Sequence, residues 1–174
     1  MTYADTARDL GLSTERRTAN QMTDAAISAP EIVTTDLPDP SVRTWIADGL
    51  AASNRRHADD PRVQHLIVQL RARGTSELLG GLWGRTAWRW LHLELLYVSP
   101  AWRGAGWARQ LVRAAEEEAV RRNCRSAWLY SHDFQAAGLF QHLGYSVFGT
   151  LSDYPAGHER FFLHKSLADE SKKR

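Results

Sequence analysis

The chain of 174 residues has one cysteine, Cys124, no long hydrophobic run and a net charge of only +2. A lone cysteine forms no internal disulfide, and no spacing of Cys and His indicates a zinc site, so we expect no metal and a reducing, cytoplasmic setting. No stretch reaches the roughly 18 apolar residues of a membrane helix, and residues 1–28 lack the apolar core of a signal peptide, so we expect no membrane partner. The small positive charge does not by itself indicate nucleic-acid binding, but it suits an anionic ligand where it is local.

The length and composition fit one globular domain. Residues 1–30 lack sustained periodicity, and we predict that they form a flexible N-terminal tail, which could mediate a homodimer. Residues 31–167 are the predicted domain, and residues 168–174 are a charged C-terminal tail.

Strand and helix patterns alternate from residue 31 onward. Asp39-Pro40 is typical of a helix start, with an N-cap followed by proline at the first helical position. The other predicted elements are strands over 31–35, 63–71, 78–83, 90–98, 126–131, 145–151 and 160–164, and helices over 106–123 and 135–143. This order predicts an α/β fold with a mixed sheet.

A predicted anion site lies between the strand that ends at Val98 and the helix that begins at Gly106. The first N–H groups of a helix have no internal partners, and they favour a phosphate together with the helix dipole. Glycine lets the backbone approach oxygen atoms closely, and Arg103 can add charge-assisted hydrogen bonds. The alternative is an ordinary glycine turn before a helix.

Two motifs extend this interpretation. The segment Arg103-Gly104-Ala105-Gly106-Trp107-Ala108 resembles the Arg/Gln-x-x-Gly-x-Gly/Ala motif of the GNAT superfamily of acyl-CoA N-acetyltransferases. Residues 93–100 resemble that family's fourth strand, and residues 136–145 resemble its late-helix signature, in the family's order. The resemblance covers roughly residues 31–167.

The resemblance implies a mixed, splayed central sheet flanked by helices on both faces. Acyl-CoA would lie in the V between the fourth and fifth strands. The backbone of Leu96, Tyr97 and Val98 would pair with the pantetheine arm, and the pyrophosphate would be held by the N–H groups of Arg103, Gly104, Ala105, Gly106, Trp107 and Ala108. Trp107 stands where a smaller aliphatic residue is commoner, and it either packs in the core or narrows the cofactor groove.

Glu94 is the candidate general base for acyl transfer to an amine, because it interrupts the apolar run Leu91 to Leu96. Burial there is expected to weaken its acidity toward the working range of a base. Strand alternation predicts His92, Glu94 and Leu96 on one side of the strand, so His92 could share a proton path with Glu94. The alternative is a structural Glu94 neutralised by an arginine from a neighbouring strand.

Other positions bear on the acceptor and the leaving group. The family often has a tyrosine proton donor where this chain has Phe140, so no general acid is identified. Tyr154 and His158 lie in a loop that borders the acceptor cleft in the resembled family, although plain turn chemistry also explains this loop. Trp83 could line the acceptor pocket or pack in the core. Three arginines, at positions 85, 89 and 103, are expected to form a solvated basic rim.

The resulting prediction is direct transfer of an acetyl group from acetyl-CoA to the primary amine of a small molecule. Two alternatives keep the fold. One uses another donor, either a longer acyl-CoA or an aminoacyl-tRNA, and only in this role would tRNA be a partner. The other is a non-catalytic acyl-CoA-binding protein.

Overall fold

The computed structural model describes residues 30–168, so both predicted tails lie outside it apart from one residue each. The chain divides into two units at the junction of Asp48 and Gly49. Helix α1 (Pro40–Asn54) crosses this junction. It begins as predicted, because Asp39 Oδ1 accepts a hydrogen bond from the Ser41 N–H at 2.8 Å.

The strand predicted over residues 31–35 is wrong, because no residue there pairs with a strand of residues 30–168. Ile32 and Val33 are β-branched, but the segment is too short and too exposed to gain from a sheet. A local turn follows instead, in which Thr35 Oγ1 accepts from the Leu37 N–H at 3.1 Å.

The second unit holds a six-stranded sheet with strand order β1-β2-β3-β4-β6-β5. The β3–β4 pair is parallel and the other pairs are antiparallel. The predicted mixed α/β fold is confirmed. Its elements are β1 (Gln64–Arg71), β2 (Leu78–Ala87), β3 (Trp90–Val98), α2 (Trp107–Arg121), β4 (Ser126–His132), α3 (Ala137–His142), β5 (Ser146–Ser152) and β6 (Glu159–Ser166).

The sheet opens between β3 and β4, where the predicted splay is visible in the pairing. Only three residues of each strand pair, ending with His92 opposite Trp128. Beyond them β3 continues to Val98 and β4 to His132 without a shared ladder. The structure therefore has a cleft whose apex lies at the pair of His92 and Trp128.

One core fills the space between the sheet and helices α2 and α3. Helix α2 contributes Leu111, Val112, Ala115 and Ala119, all buried, and it contacts β1, β2 and β3. From α3, Phe140 joins the same cluster. In the part of the chain that the structure describes, no helix is long and apolar enough to cross a membrane.

A β-bulge at Glu94 changes which side chains of β3 face this core. Trp83 pairs with Leu95 and Gly84 pairs with Leu93, so Glu94 has no partner on β2. The extra residue shifts the alternation by one. Leu91 and Leu93 are buried in the core before the bulge, whereas Leu96 and Val98 pack against it afterwards. The prediction that His92, Glu94 and Leu96 share one side is therefore wrong for Leu96.

We call the side of the sheet that points away from this core the open face. It carries Trp83 and Arg85 from β2, and His92 from β3. It also carries Trp128 and Tyr130 from β4, which alternate with the buried Ala127 and Leu129.

Candidate active site

The loop before α2 has the geometry of an anion site. Gly106 is the N-cap of α2 with φ 81° and ψ 9°, and Gly104 has φ 80°. This left-handed conformation strains any residue with a Cβ, which is why glycine occupies both positions. A Cβ added at either glycine would meet no atom within 4 Å, so the space in front of the loop is open.

Donors line this space. Within residues 30–168 no acceptor is recorded for the backbone N–H groups from Gly104 to Ala108. Gly106 has no side chain to cap α2, so the positive end of the helix dipole faces the same opening. A row of free donors at a helix N-terminus favours the oxygen atoms of a phosphate.

Arg103 and Trp107 border the loop in different ways. Arg103 Nε donates to the Val98 carbonyl at 2.9 Å, and the guanidinium carbon lies 5.7 Å from the centre of the Tyr97 ring. One lone pair of the Val98 carbonyl is therefore engaged within the protein. Trp107 is half-buried and packs against the core, which is the first of the two roles expected for it.

Glu94 lies in an ion pair at the bulge. Its Oε1 is 3.0 Å from Arg85 Nε and 3.4 Å from His92 Nδ1, and the Glu94 side chain keeps 26% of its surface exposed. The arginine from a neighbouring strand, which the sequence left as an alternative, is thus present. Arg85 neutralises Glu94 but leaves the carboxylate open to the solvent and to His92.

His92 forms the apex of the cleft. Its ring stacks on Trp128 with 3.9 Å between the centroids and 4° between the planes. Burial lowers the pKa of His92; the nearby Glu94 carboxylate opposes this effect and Arg85 adds to it. Neither ring nitrogen makes a hydrogen bond within the described residues. The side chain is therefore an uncharged imidazole at neutral pH, with both ring nitrogens enclosed by the protein and Nδ1 turned toward the Glu94 carboxylate.

The three predicted acceptor residues lie at two places. Trp83 is on the open face, since it is opposite Leu95 and two residues before Arg85, and its ring is 5.5 Å from that of His65. Tyr154 and His158 lie instead in the β5–β6 loop, beside the last residues of β4. His158 Nδ1 is 3.1 Å from Asp133 Oδ1.

Phe140 occupies the expected tyrosine position and cannot donate a proton. It is buried, and its ring contacts that of Tyr145 at 5.6 Å. Tyr145 and Ser131 are also buried, with 3% of their surface exposed, so neither opens onto the cleft. Among residues 30–168, no three His, Cys, Asp or Glu side chains are grouped as metal ligands.

The basic rim predicted from three arginines is wrong. Arg85 binds Glu94, Arg89 Nε donates to the Asn123 carbonyl, and Arg103 folds back onto Val98. Arg89 and Arg103 lie at opposite ends of β3, about 30 Å apart at the rise of a strand. Short sequence separation does not bring side chains together when a strand lies between them.

Two residues on the open face were not among the predicted site residues. Trp128 stacks on His92, and Arg160 on β6 contacts two tyrosine rings. The available signal was the alternation of ring-bearing residues with small or apolar ones in β4, which puts Trp128, Tyr130 and His132 on one face. Strand order, which the sequence does not state, was needed to bring Arg160 beside them.

An open, mixed sheet that splits beside a helix N-terminus with free N–H groups is the arrangement of the class that the two motifs predicted, an acyltransferase of the N-acetyltransferase type. Residues 29–145 match the acetyltransferase (GNAT) family, and the chain belongs to this family.

Known acetyltransferases resemble the chain in sequence and in structure. It is 40% identical over 93 residues to blasticidin-S acetyltransferase of Streptomyces morookaense, covering 53% of this chain and 68% of that protein. It is 32% identical over 133 residues to an acetyltransferase of Agrobacterium fabrum, covering 76% of this chain and 96% of that protein. A crystal structure described as an acetyltransferase from Agrobacterium tumefaciens aligns with a TM-score of 0.73 and 31% identity, over 79% of this chain and 99% of that one. These likenesses identify the chain as an acetyltransferase enzyme.

Proposed function

We propose that the enzyme transfers an acetyl group from acetyl-CoA to the primary amine of a small molecule. The observation that carries the proposal is the row of free N–H donors before α2, which lies at the end of the unpaired β3 edge. A donor with a pyrophosphate and an amide-containing arm fits these two features. The N–H groups from Gly104 to Ala108 would hold the pyrophosphate, whereas the predicted Arg103 N–H already donates to the Pro100 carbonyl at 3.2 Å. The backbone of Leu96, Tyr97 and Val98 would pair with the arm.

The bound coenzyme would supply an activated thioester carbonyl, and the residues at the apex would prepare the amine. An amine attacks only when it is neutral, so a proton must leave it. Glu94 takes this proton as general base, directly or through His92, whose ring is uncharged because burial lowers its pKa. Arg85 holds the carboxylate in place at 3.0 Å.

The leaving thiolate receives its proton from water in this mechanism, because Phe140 has no proton to give. Tyr145 and Ser131 are buried in the core, so they do not take over this role. A thiolate can leave without a protein proton donor, since a thiol is a far stronger acid than water.

The test is release of free thiol from acetyl-CoA in the presence of a panel of amines. The panel includes blasticidin S, because a relative is a blasticidin-S acetyltransferase. We expect Glu94→Gln to lower kcat by about 100-fold or more, as for loss of a general base, with little change in the Kd of CoA. Glu77→Gln is the matched control, because Glu77 is an exposed glutamate immediately before β2. Equal turnover in the two variants would remove Glu94 as base.

The same assay distinguishes acetyl-CoA from the other candidate acyl donors. If acetyl-CoA gives no thiol with any amine, then longer acyl-CoA thioesters are tried next, followed by aminoacyl-tRNA, with the product measured directly. A cytoplasmic setting and a homodimer stay predictions, which cell fractionation and analytical ultracentrifugation of the full chain would test.

A further inference from the structure

Arg160 on β6 has an unusual environment on the open face. Its guanidinium carbon lies 4.4 Å from the centre of the Tyr130 ring and 4.1 Å from the centre of the Tyr154 ring. Its Nε donates a hydrogen bond to His132 Nε2 at 3.2 Å. Two ring contacts and one hydrogen bond hold the group in one orientation.

The hydrogen bond to His132 joins Arg160 to a group that carries no negative charge. Because Nε2 accepts from Arg160, the ring proton lies on Nδ1, which is 3.2 Å from Gln135 Oε1. An imidazole ring brings no negative charge, so His132 compensates none of the charge of Arg160.

No carboxylate among residues 30–168 forms an ion pair with Arg160. The acids next to its partners in the chain are engaged elsewhere. Asp133, which follows His132, binds His158, and Asp153, which precedes Tyr154, accepts from the Gly157 N–H through Oδ1. Within the same residues, no hydrogen bond from the terminal Nη nitrogens of Arg160 is recorded. The guanidinium thus offers its terminal edge, the part that binds a carboxylate or a phosphate with two parallel hydrogen bonds.

This edge belongs to the same face as the proposed amine site. His132 is directly opposite Arg160 in the β4–β6 ladder, and Trp128 is opposite His92 at the apex of the cleft. Trp128, Tyr130 and His132 alternate along β4, so all three point to the open face. At the rise of a strand, His132 lies about 13 Å from Trp128.

We propose that Arg160, held by Tyr130, Tyr154 and His132, is an anion subsite that selects acceptors carrying a carboxylate or phosphate at a distance from the amine. The proposal rests on the proposed function and names the class of its acceptor. The coenzyme also carries phosphates, but its predicted phosphate loop follows β3, whereas Arg160 lies on the far side of β4. The acceptor is therefore the source of the anion.

The test compares pairs of acceptors that differ only in the anion: ω-amino carboxylates of four to eight carbons, and the linear alkylamines of the same length. We expect the wild type to show a higher kcat/KM for the carboxylate of at least one pair. Arg160→Gln lowers that value by about 10- to 100-fold, as for a lost charge-assisted hydrogen bond, and changes the alkylamine value less than twofold. Arg160→Lys keeps the charge but not the planar guanidinium. Its kcat/KM for the carboxylate should lie between those of the wild type and Arg160→Gln.

Arg73→Gln is the control, because Arg73 is exposed in the β1–β2 turn. The Kd of CoA is measured for every variant. A weaker Kd for CoA in Arg160→Gln, with no change in acceptor preference, would assign the anion to the coenzyme and overturn the proposal. An equal loss of kcat/KM for the carboxylate and the alkylamine of a pair would also overturn the proposal, because this result would show that Arg160 has a structural role alone.

These outcomes are separable from failure of the proposed function. If the wild type turns over alkylamines and carboxylates alike, the acetyl transfer is retained and the anion subsite is rejected. If the wild type turns over no amine, calorimetric binding of the same ω-amino carboxylates to wild type and Arg160→Gln decides the subsite. Binding that depends on Arg160 supports the subsite, and absent or equal binding rejects it.

Discussion

Gly106 and Gly74 form a matched pair for testing the phosphate loop. Both have φ 81°, and a Cβ added at either would meet no atom within 4 Å. Gly106 caps α2, whereas Gly74 lies in the turn between β1 and β2. Alanine in the left-handed region costs about 1–2 kcal/mol, so Gly106→Ala and Gly74→Ala should lower the free energy of unfolding by similar amounts.

The two variants should differ in coenzyme binding. A methyl group at Gly106 would stand in the open space in front of the free N–H groups, where a phosphate oxygen must approach. Loss of one charge-assisted hydrogen bond is worth about 1.5–3 kcal/mol, which corresponds to a Kd for CoA raised by about 10- to 100-fold. No such loss is expected for Gly74→Ala, because its turn lies outside the loop.

The assay is isothermal titration calorimetry with CoA, together with urea unfolding of each variant. Stability is measured first, so that a poorly folded variant is not mistaken for a weak binder. If Gly106→Ala and Gly74→Ala are equally destabilised and bind CoA with the same Kd, then the pyrophosphate does not lie against this loop.

Three further predictions concern the apex, the bulge and the core. His92→Phe keeps a ring beside Trp128 but removes the titratable group. Because the pKa of His92 is lowered in the folded state, urea unfolding should show that the wild type loses stability more steeply than this variant as the pH falls from 7.5 to 5. Gly84→Ala should lower the thermal midpoint by several degrees in scanning calorimetry, because its Cβ would clash with the His92 carbonyl across the bulge. Lys165→Met removes an ammonium group that lies 2.8 Å from Glu116 Oε2, and the Glu116 side chain is only 5% exposed. The free energy of unfolding in urea should fall by about 3–5 kcal/mol, and a loss below 1 kcal/mol would contradict the buried pair.

Local patterns in the sequence predicted much of the fold. The predicted strand over 90–98 has the same bounds as β3, because the apolar run stops there and Ser99-Pro100 restricts the backbone that follows. Helix α2 begins at Trp107, one residue after the predicted start, and its apolar stripe is buried as periodicity indicates. Both glycines of the loop have the positive φ that their position before a helix suggests.

Long-range pairing explains what the sequence did not predict. Alternation has a period of two only in a regular strand, and the bulge at Glu94 becomes visible only when the register against Trp83 and Gly84 is known. The partner of Glu94 could be stated as an arginine from a neighbouring strand, but the register was needed to identify it as Arg85. Arg160 meets Tyr130 through the β4–β6 ladder, and Tyr130 is 30 positions earlier in the chain.

The short ladder between β3 and β4 also bears on solubility. An open sheet has two outer edges, and each carries unpaired N–H and C=O groups that can template another strand. Because β3 and β4 separate after the pair of His92 and Trp128, this sheet has two additional edges in its middle. Along one of them Leu95 and Tyr97 are 68% and 57% exposed. A ligand that fills the gap would therefore also shield the enzyme from strand addition. Preparations without coenzyme should aggregate sooner than preparations with bound coenzyme.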